Sequence, residues 1–211
     1  MKTKIKIILL TLILVEMNIF ATAQNAIRKY KELEKPEKQW TRRHPIAALR
    51  TYKLSQLAAN EAIERLNDKD FDGDGNGGMV DAFRHTLWMA LTTQKIGRRK
   101  ALTLGKAHED SNKIFYEKNN LEDGSLPDSI SCEMDLLNNE CGAKIGQKYP
   151  KASFQELTNI VKQAVISGQC FKIKKNAAGD YLDYNGNIID PNEYLGRWHT
   201  PKILVKSNFK Q

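Results

Sequence analysis

One predicted helix carries an acid, a histidine and a tryptophan on the same face. Asp81, His85 and Trp88 lie at i, i+4 and i+7, with Arg84 beside them, and residues at this spacing share one side of a helix. A helix that packs in a core normally presents leucines there. Ionisable groups in such a place can act as acids, bases or metal ligands, so this face is the first candidate for chemistry.

Two further predicted helices repeat the pattern. His108 shares the apolar stripe of Leu104 and Phe115, and Glu109 lies at the edge of that stripe. The next helix places polar or small residues at i, i+3, i+4 and i+7, namely Asp135, Asn138, Asn139 and Gly142. Burying so many ionisable and amide groups costs several kcal/mol unless they bond to one another or to a ligand. The three helices therefore predict a shared polar pocket inside a helical bundle.

This pocket fits two kinds of catalytic site and one structural role. In a divalent metal site the ligands would be His85, His108 and Asp135, because imidazole and carboxylate groups from facing helices bind such metals. In a metal-free site an aspartate would orient a histidine that acts as acid or base. The predicted catalytic residues are Asp81, Arg84, His85, His108, Glu109, Asp135, Asn138 and Asn139. The alternative is a hydrogen-bonded network that only stabilises the core.

Four of these residues have more specific predicted roles. Glu109 would be the general base for a water molecule, and Arg84 would hold an anion. Asn138 or Asn139 would polarise a carbonyl or phosphoryl oxygen.

A loop rich in glycine and aspartate precedes the helix of Asp81. Its predicted calcium ligands occupy positions 1, 3, 5, 7 and 12 of a calcium-binding loop: Asp70, Asp72, Asp74, Asn76 and Asp81. Gly75 stands at position 6, as the loop requires, but Gly77 replaces the usual aliphatic residue at position 8. The alternative is an ordinary turn, because glycine and aspartate favour turns for their own sake. Asp81 can serve both sites only if they adjoin.

Sequence patterning places these motifs in a mainly α protein. A charged helical lead-in at 24–43, expected to be peripheral, precedes a long helix that begins near Pro45. Further helices are predicted at about 79–96, 98–116, 130–147 and 153–167, with an exposed loop at 117–128. The predicted fold is a helical bundle of four or five helices with a small antiparallel β-hairpin or three-stranded tail from about 169. We expect the helices after the lead-in and the β tail to form one domain at 44–211.

The N-terminal segment has the pattern of a secretory signal peptide. Three lysines precede an apolar run from Ile5 to Val15, and small residues follow at 21–23. We expect cleavage near Ala23 to remove residues 1–23. The mature chain would then lack a transmembrane segment and reside in the periplasm or outside the cell.

Net charge restricts the partners. The 211-residue chain has 33 Lys and Arg against 25 Asp and Glu, a formal charge of +8, so its surface should attract an anionic substrate or ligand. Nucleic acid is not expected, because no recognised DNA- or RNA-binding fold accompanies the basic runs.

Three cysteines suit an oxidising compartment, and their odd number leaves at least one without an intramolecular partner. Cys132 and Cys141 lie nine residues apart in one predicted helix, about 13 Å along its axis, and cannot bridge each other. Cys170 with one of these two is the expected disulfide.

Three motifs in order resemble an uncharacterised family of secreted bacterial domains, also found as modules of toxin-like exported proteins. The motifs are DAFRHTLW at 81–88, AHE at 107–109 and MDLLNNECG at 134–142. The resemblance implies a mostly helical domain with the signature residues Asp81, Arg84, His85, Trp88, His108, Glu109, Asp135, Asn138, Asn139 and Gly142. Leu137 stands where the family has a histidine, which would weaken any metal site that used this position. The resemblance supplies no reaction.

The sequence thus favours a secreted, hydrolase-like helical domain, with or without a catalytic metal, that acts on an anionic envelope or extracellular substrate. Two other functions stay open. One is a non-enzymatic binding module stabilised by calcium, and the other is a toxin-related effector.

Overall fold

A computed structural model of the protein describes residues 27–122 and 124–210. The predicted signal peptide at 1–23 lies outside the described residues. A helical turn at 27–32 precedes the first long helix. Among the described helices, none combines the length and apolarity needed to cross a bilayer.

Six helices of nine or more residues form the described part of the domain. They are α1 (Lys35–Arg43), α2 (Pro45–Arg65), α3 (Met79–Ile96), α4 (Arg98–Glu117), α5 (Ser129–Lys148) and α6 (Phe154–Ile166). They are followed by strand β1 (Phe171–Ile173), the short helix α7 (Pro191–Tyr194) and strand β2 (Leu204–Lys206). The predicted fold class, mainly α with a small antiparallel sheet near the C-terminus, is confirmed.

The central helix is α3, which packs against α2, α4, α5, α6 and β1. Phe83, Leu87 and Ala90 on this helix are fully buried and join the main apolar core, which α6 completes with Leu157 and Val161. Because neighbours surround α3, it keeps almost no solvent face. The polar residues of this helix are therefore buried as well, and they include the ionisable side chains of Asp81 and His85.

Glycines let α3 and α5 approach each other closely. A Cβ atom added to Gly142 would lie 2.1 Å from the carbonyl oxygen of Thr86, and one added to Gly146 would lie 2.3 Å from that of Ala90. Any larger side chain at these two positions would push the helices apart. The sequence motif that ends at Gly142 thus sets the distance between the two helices that carry the polar groups.

The small sheet differs from the expected hairpin. β1 pairs antiparallel with the distant β2, with Lys172 opposite Val205, and the residues between them form only isolated bridges, such as Leu182 with Ile188. The other edge of β1 is held by the helical core, because the amide of Ile173 donates to the carbonyl of Gly77 over 2.7 Å. The helices therefore fix β1, and the last part of the chain returns to cover its free edge.

The lead-in at 24–43 is not peripheral over its second half. Trp40 of α1 is 6% exposed, and its indole nitrogen donates to the hydroxyl of Thr103 on α4 over 3.0 Å. A buried tryptophan anchors a helix strongly. Trp40 therefore attaches α1 to α4, although charged residues surround it in the sequence.

Candidate functional site

Three buried side chains from α3 and α5 converge on one point. The Nε2 atom of His85 lies 3.6 Å from Oδ1 of Asp81 and 3.4 Å from Oδ1 of Asp135, and each residue is at most 5% exposed. One ligand atom of each lies within 4.8 Å of the others. Within residues 27–122 and 124–210, this is the only group of three His, Cys, Asp or Glu side chains that converges in this way.

Asp81 is held in place by bonds at both of its carboxylate oxygens. Oδ2 accepts the backbone N–H of Gly77 over 2.8 Å, and Oδ1 accepts from Nε and Nη2 of Arg84 over 3.1 and 2.7 Å. A carboxylate in the first turn of a helix also interacts favourably with the helix dipole. The structure thus gives Arg84, predicted to hold an anion, a direct part in orienting Asp81.

Three buried atoms of His85 and Asp135 have no hydrogen-bond partner at bonding distance among the described residues, although the nearby Asn139 side chain acts to raise the pKa of His85. In the described protein neither ring nitrogen of His85 has one, nor does Oδ1 of Asp135, and all three atoms are inaccessible to solvent. Burial, with Arg84 and His108 nearby, holds the pKa of His85 well below its ordinary value. Burial and the adjacent Asp81 raise the pKa of Asp135 well above its ordinary value. Both side chains therefore favour their neutral forms unless a nearby group of opposite charge stabilises the charged form.

His108 lies beside this group but is held by two other carboxylates. Its Nδ1 lies 3.3 Å from Oε1 of Glu37 on α1, and its Nε2 lies 3.2 Å from Oε1 of Glu122 in the loop before α5. Burial acts to lower the pKa of His108, but the bonds to Glu122 and Glu37 outweigh it and raise this pKa well above its ordinary value. The ring centroid of His108 is 6.5 Å from that of His85. The structure therefore does not include His108 among the converging ligand atoms.

Glu109 is a buried carboxylate one residue along α4. It is 4% exposed, and Oε2 accepts from the amide nitrogen of Asn112 over 3.0 Å while Oε1 has no partner in the described structure. Burial raises the pKa of Glu109 to about 7. Its charge in turn contributes to the raised pKa of Asp135, so the two carboxylates belong to one electrostatic unit.

The two asparagines of α5 have different surroundings. The side chain of Asn138 accepts from the backbone N–H of Phe171 over 2.9 Å and donates to the carbonyl of the same residue over 3.0 Å, which attaches β1 to α5. Asn139 is 1% exposed and neither of its amide atoms has a partner in the described residues. Its Nδ2 would lie 2.9 Å from a Cβ atom on Gly105 of α4. Of the pair, Asn139 is the one whose amide remains available.

A narrow cleft lies beside this group. Asp81, Arg84 and Asp135 form part of its lining. The cleft has a volume of about 20 Å³, which is room for about one water molecule or metal ion. The remaining walls are formed by Gly75, Asn76, Glu122, Ser125, Pro127 and Ser131.

The predicted calcium loop pairs its acids with lysines. Nζ of Lys162 lies 2.7 Å from Oδ2 of Asp70, and Lys172 and Lys175 make equivalent contacts with Asp72 and Asp74 over 3.2 and 2.6 Å. Both carboxylate oxygens of Asp72 also accept the backbone N–H of Met79, over 3.0 Å, at the start of α3. Asn76 instead donates to the hydroxyl of Ser125. Asp81 faces His85, so the structure does not bring the five predicted calcium ligands together.

Sequence reasoning does not find the two glutamates that contact His108. Glu37 lies in a segment that is predicted to be peripheral, and Glu122 lies in a predicted exposed loop. Neither residue has a spacing that distinguishes it from ordinary surface glutamates. The three lysines of the aspartate loop come from distant parts of the chain. No periodicity could reveal such contacts, because they depend on how the helices pack.

The comparisons with known proteins bear on the region that holds the site. No curated protein and no solved structure matches the chain. A family model described as "Domain of unknown function (DUF6973)" matches residues 38–169, more than half of the 211 residues. The match includes α2 to α6 and all three sequence motifs. The chain therefore belongs to the family described as a domain of unknown function, DUF6973.

Proposed function

We propose that the protein is a secreted, metal-dependent hydrolase whose metal ion is bound by Asp81, His85 and Asp135. The observation that carries this proposal is the pair of buried atoms without partners, Nε2 of His85 and Oδ1 of Asp135, which face each other over 3.4 Å. Buried polar atoms are nearly always satisfied. With the His85 proton on Nδ1 and Asp135 ionised, both atoms are acceptors, and a cation between them would satisfy both.

The two distances from His85 to the carboxylates fit tetrahedral coordination. Ligands about 2.1 Å from a metal ion are about 3.4 Å apart along the edges of a tetrahedron. The Nε2 atom of His85 lies 3.6 and 3.4 Å from the two carboxylate oxygens. Three protein ligands leave a fourth position for water, which is the arrangement of catalytic zinc sites. A cleft lined in part by Asp81 and Asp135 lies beside the proposed ligands.

The ligand types favour zinc or manganese over calcium. Imidazole nitrogen suits Zn²⁺, and carboxylate oxygens suit both Zn²⁺ and Mn²⁺, whereas Ca²⁺ takes six to eight oxygen ligands. A divalent ion would also lower the pKa of Asp135, which burial and Asp81 raise, because a nearby positive charge favours the carboxylate. Metal binding and ionisation of the ligands would thus support each other.

Glu109 is the proposed general base. A base works best when its pKa lies near the working pH, and burial places that of Glu109 at about 7. It would take a proton from the attacking water molecule and pass it to the leaving group of a carbonyl or phosphoryl substrate. A metal ion held by Asp81, His85 and Asp135 would supply the positive charge that activates the water. Asn139, buried with its amide unpaired, would donate to the oxygen on which charge develops.

The proposed substrate is an anionic ester or amide outside the cell. The formal charge of +8 favours anions, and the N-terminal pattern favours export. A binding module stabilised by calcium is less well supported, because lysines neutralise the loop acids Asp70, Asp72 and Asp74.

Metal binding is the first test of this proposal. Isothermal titration of chelator-treated protein with Zn²⁺ and Mn²⁺ should show one site per chain. Asp135→Asn, which preserves the shape of the side chain, and His85→Ala should each weaken binding by more than about 100-fold. His199→Ala is the matched control, because His199 is exposed in the C-terminal tail. Equal affinity in the wild type and in both site variants would overturn the metal site.

Hydrolysis is the second test. Metal-loaded protein should cleave at least one class in a panel of chromogenic phosphodiesters, carboxylic esters and acidic peptides. Glu109→Gln should lower kcat by about 100-fold or more while one metal ion per chain remains bound. If the metal binds but no class is cleaved, the site is a structural metal centre and the catalytic part of the proposal is wrong.

A further inference from the structure

Two of the three cysteines lie in contact at the junction of α5 and β1. The sulfur atoms of Cys141 and Cys170 are 3.6 Å apart, and the structure records both as free thiols. Cys170 is fully buried and Cys141 is partly exposed. We propose that Cys141 and Cys170 form a disulfide under oxidising conditions, while Cys132 remains a thiol. This inference does not depend on the proposed hydrolase activity.

The backbone around the two thiols is already held in a suitable arrangement. A disulfide requires a sulfur–sulfur distance of about 2.05 Å, so the two atoms must move together by about 1.5 Å from their 3.6 Å contact. Rotation about the Cβ bonds can supply this movement. The two bonds between Asn138 and Phe171, over 2.9 and 3.0 Å, fix β1 against α5 next to Cys170. The pair is therefore kept together whether or not it is oxidised.

The two thiols differ in reactivity. The hydrogen bond from Cys170, with Lys144 and Lys206 nearby, lowers the pKa of Cys141. The same hydrogen bond, together with burial, raises the pKa of Cys170 well above its ordinary value. The thiolate is the nucleophile in disulfide exchange. The partly exposed Cys141 is thus the residue that an oxidant meets first.

The chemistry balances with a disulfide oxidant such as oxidised glutathione or a thiol–disulfide oxidoreductase. The Cys141 thiolate attacks one sulfur of the oxidant, which forms a mixed disulfide and releases one thiol of the oxidant. Cys170 loses its proton and attacks the Cys141 sulfur, which forms the bond between Cys141 and Cys170 and releases the second thiol. The protein loses two electrons and two protons, and the oxidant gains them.

Cys132 is excluded by position and by charge. It lies nine residues before Cys141 on α5, about 13 Å away along the helix axis. Burial and the nearby carboxylates of Glu109 and Asp135 raise its pKa far above the ordinary value, which disfavours the thiolate. This cysteine therefore provides an internal control.

The disulfide would lie beside α3, the helix that carries Asp81 and His85. Cys170 also contacts Thr86, the residue after His85 on α3, with its sulfur 3.3 Å from the hydroxyl oxygen. The bond would enclose α6 in a covalent loop from 141 to 170 and would restrict the unfolded chain. We expect oxidation to raise the melting temperature by about 5–10 °C.

Peptide mapping tests the pairing directly. Purified protein is equilibrated with oxidised glutathione, alkylated without reduction and digested with a protease that cuts after glutamate. Cleavage after Glu133 and Glu140 separates Cys132 from Cys141. The expected result is one linked pair of peptides, with Cys141 joined to Cys170, and an alkylated Cys132. Three alkylated cysteines, a link that includes Cys132, or a dimer linked through cysteine would each overturn the proposal.

Variants separate the disulfide from a simple effect of packing. Cys132→Ser should keep both the linked peptides and the rise in melting temperature on oxidation. Cys141→Ser should lose both, and because Cys141 is partly exposed it should fold like the reduced wild type. A rise on oxidation that persists in Cys141→Ser would contradict the assignment.

Discussion

His85 on α3 and Asp135 on α5 face each other with Nε2 and Oδ1 3.4 Å apart. Both side chains are almost fully buried, at an interface that Gly142 allows to close to backbone contact. Without a bound cation, burial favours the neutral form of each. The arrangement is therefore costly for the fold alone and suited to a ligand that carries positive charge.

Asp135→Asn is predicted to have opposite effects with and without metal. The raised pKa of Asp135 means that its contribution to stability declines as the pH rises above 3.8, its ordinary value. In chelator at pH 8, the variant should therefore melt about 2–4 °C above the wild type. This shift corresponds to about 1 kcal/mol, because the variant no longer buries an ionised carboxylate. In excess Zn²⁺ the order should reverse, because only the wild type gains binding energy. Scanning calorimetry checks both, and equal destabilisation in the two conditions would indicate a structural network.

The contact of His108 with Glu122 is predicted to make stability depend on pH. The pKa of His108 is raised well above 6.5, so its contribution is complete below about pH 6.5 and declines as the pH rises through the folded value. The pKa of Glu122 is lowered, because its bonds to His108 outweigh the effect of burial, so its contribution is lost as the pH falls. The contact is thus strongest between about pH 4.5 and 6.5. Glu37, Glu109 and His85 are the other titratable groups around His108.

Denaturant unfolding at a series of pH values measures this dependence. His108→Gln should flatten the decline above pH 6.5, whereas His199→Gln should leave it unchanged. Glu109 adds a separate decline in the free energy of unfolding, because burial raises its pKa from 4.5 to about 7. The shift corresponds to a loss of about 3 kcal/mol as the pH rises between these two pKa values. Glu109→Gln should remove that part. A wild type with constant stability from pH 5 to 8 would contradict both assignments.

The helices could be predicted from the sequence because their signals are local. The boundaries of α3, from Met79 to Ile96, follow from a glycine-rich stop before it and Gly97 after it. The pairing of β1 with β2 could not be predicted, because the two strands lie some thirty residues apart and the Asn185-Gly186 turn between them favours a local hairpin. Long-range pairing depends on which strand edge the core leaves open.

Part of the candidate site could be predicted because it, too, depends on local spacing along a helix. Asp81 and His85 share a helix face, so their proximity follows from spacing, and Asp135 could be added because a buried acid needs a partner. His108 has the same signature as His85, but its neighbours Glu37 and Glu122 come from segments that look like ordinary surface. Whether a histidine meets a metal or a carboxylate depends on tertiary packing.

Asn138→Ala is predicted to destabilise the protein without affecting metal binding. The substitution removes both bonds to the backbone of Phe171 and leaves buried polar groups unpaired, at a cost of about 2–4 kcal/mol. If Asn138 acted on the substrate instead, activity would fall with little change in stability. Asn139→Ala is the matched comparison, because the Asn139 amide makes no hydrogen bond in the described structure. Urea unfolding and zinc titration of the two variants distinguish these roles.

Calcium is predicted not to stabilise the protein. An ion in the aspartate loop would have to displace Lys162, Lys172 and Lys175 from the loop acids, and Asp72 would have to leave the start of α3. Thermal melts with millimolar CaCl₂ should match those with MgCl₂. A rise in melting temperature specific to calcium, and lost in Asp74→Asn, would instead support a calcium-stabilised module.

Gly142→Ala is predicted to disrupt the site by separating α3 from α5. The new Cβ atom would lie 2.1 Å from the backbone oxygen of Thr86, and backbone cannot move aside as a flexible side chain can. We expect a loss of about 3 kcal/mol or more and, in the protein that still folds, weaker zinc binding, because His85 and Asp135 move apart. Gly75→Ala is the control for stability alone, since its Cβ would meet only a leucine side chain, at 3.5 Å, and Gly75 itself lines the cleft. Calorimetry and zinc titration measure the two effects. Wild-type behaviour of Gly142→Ala would show that the site does not depend on the close approach of these helices.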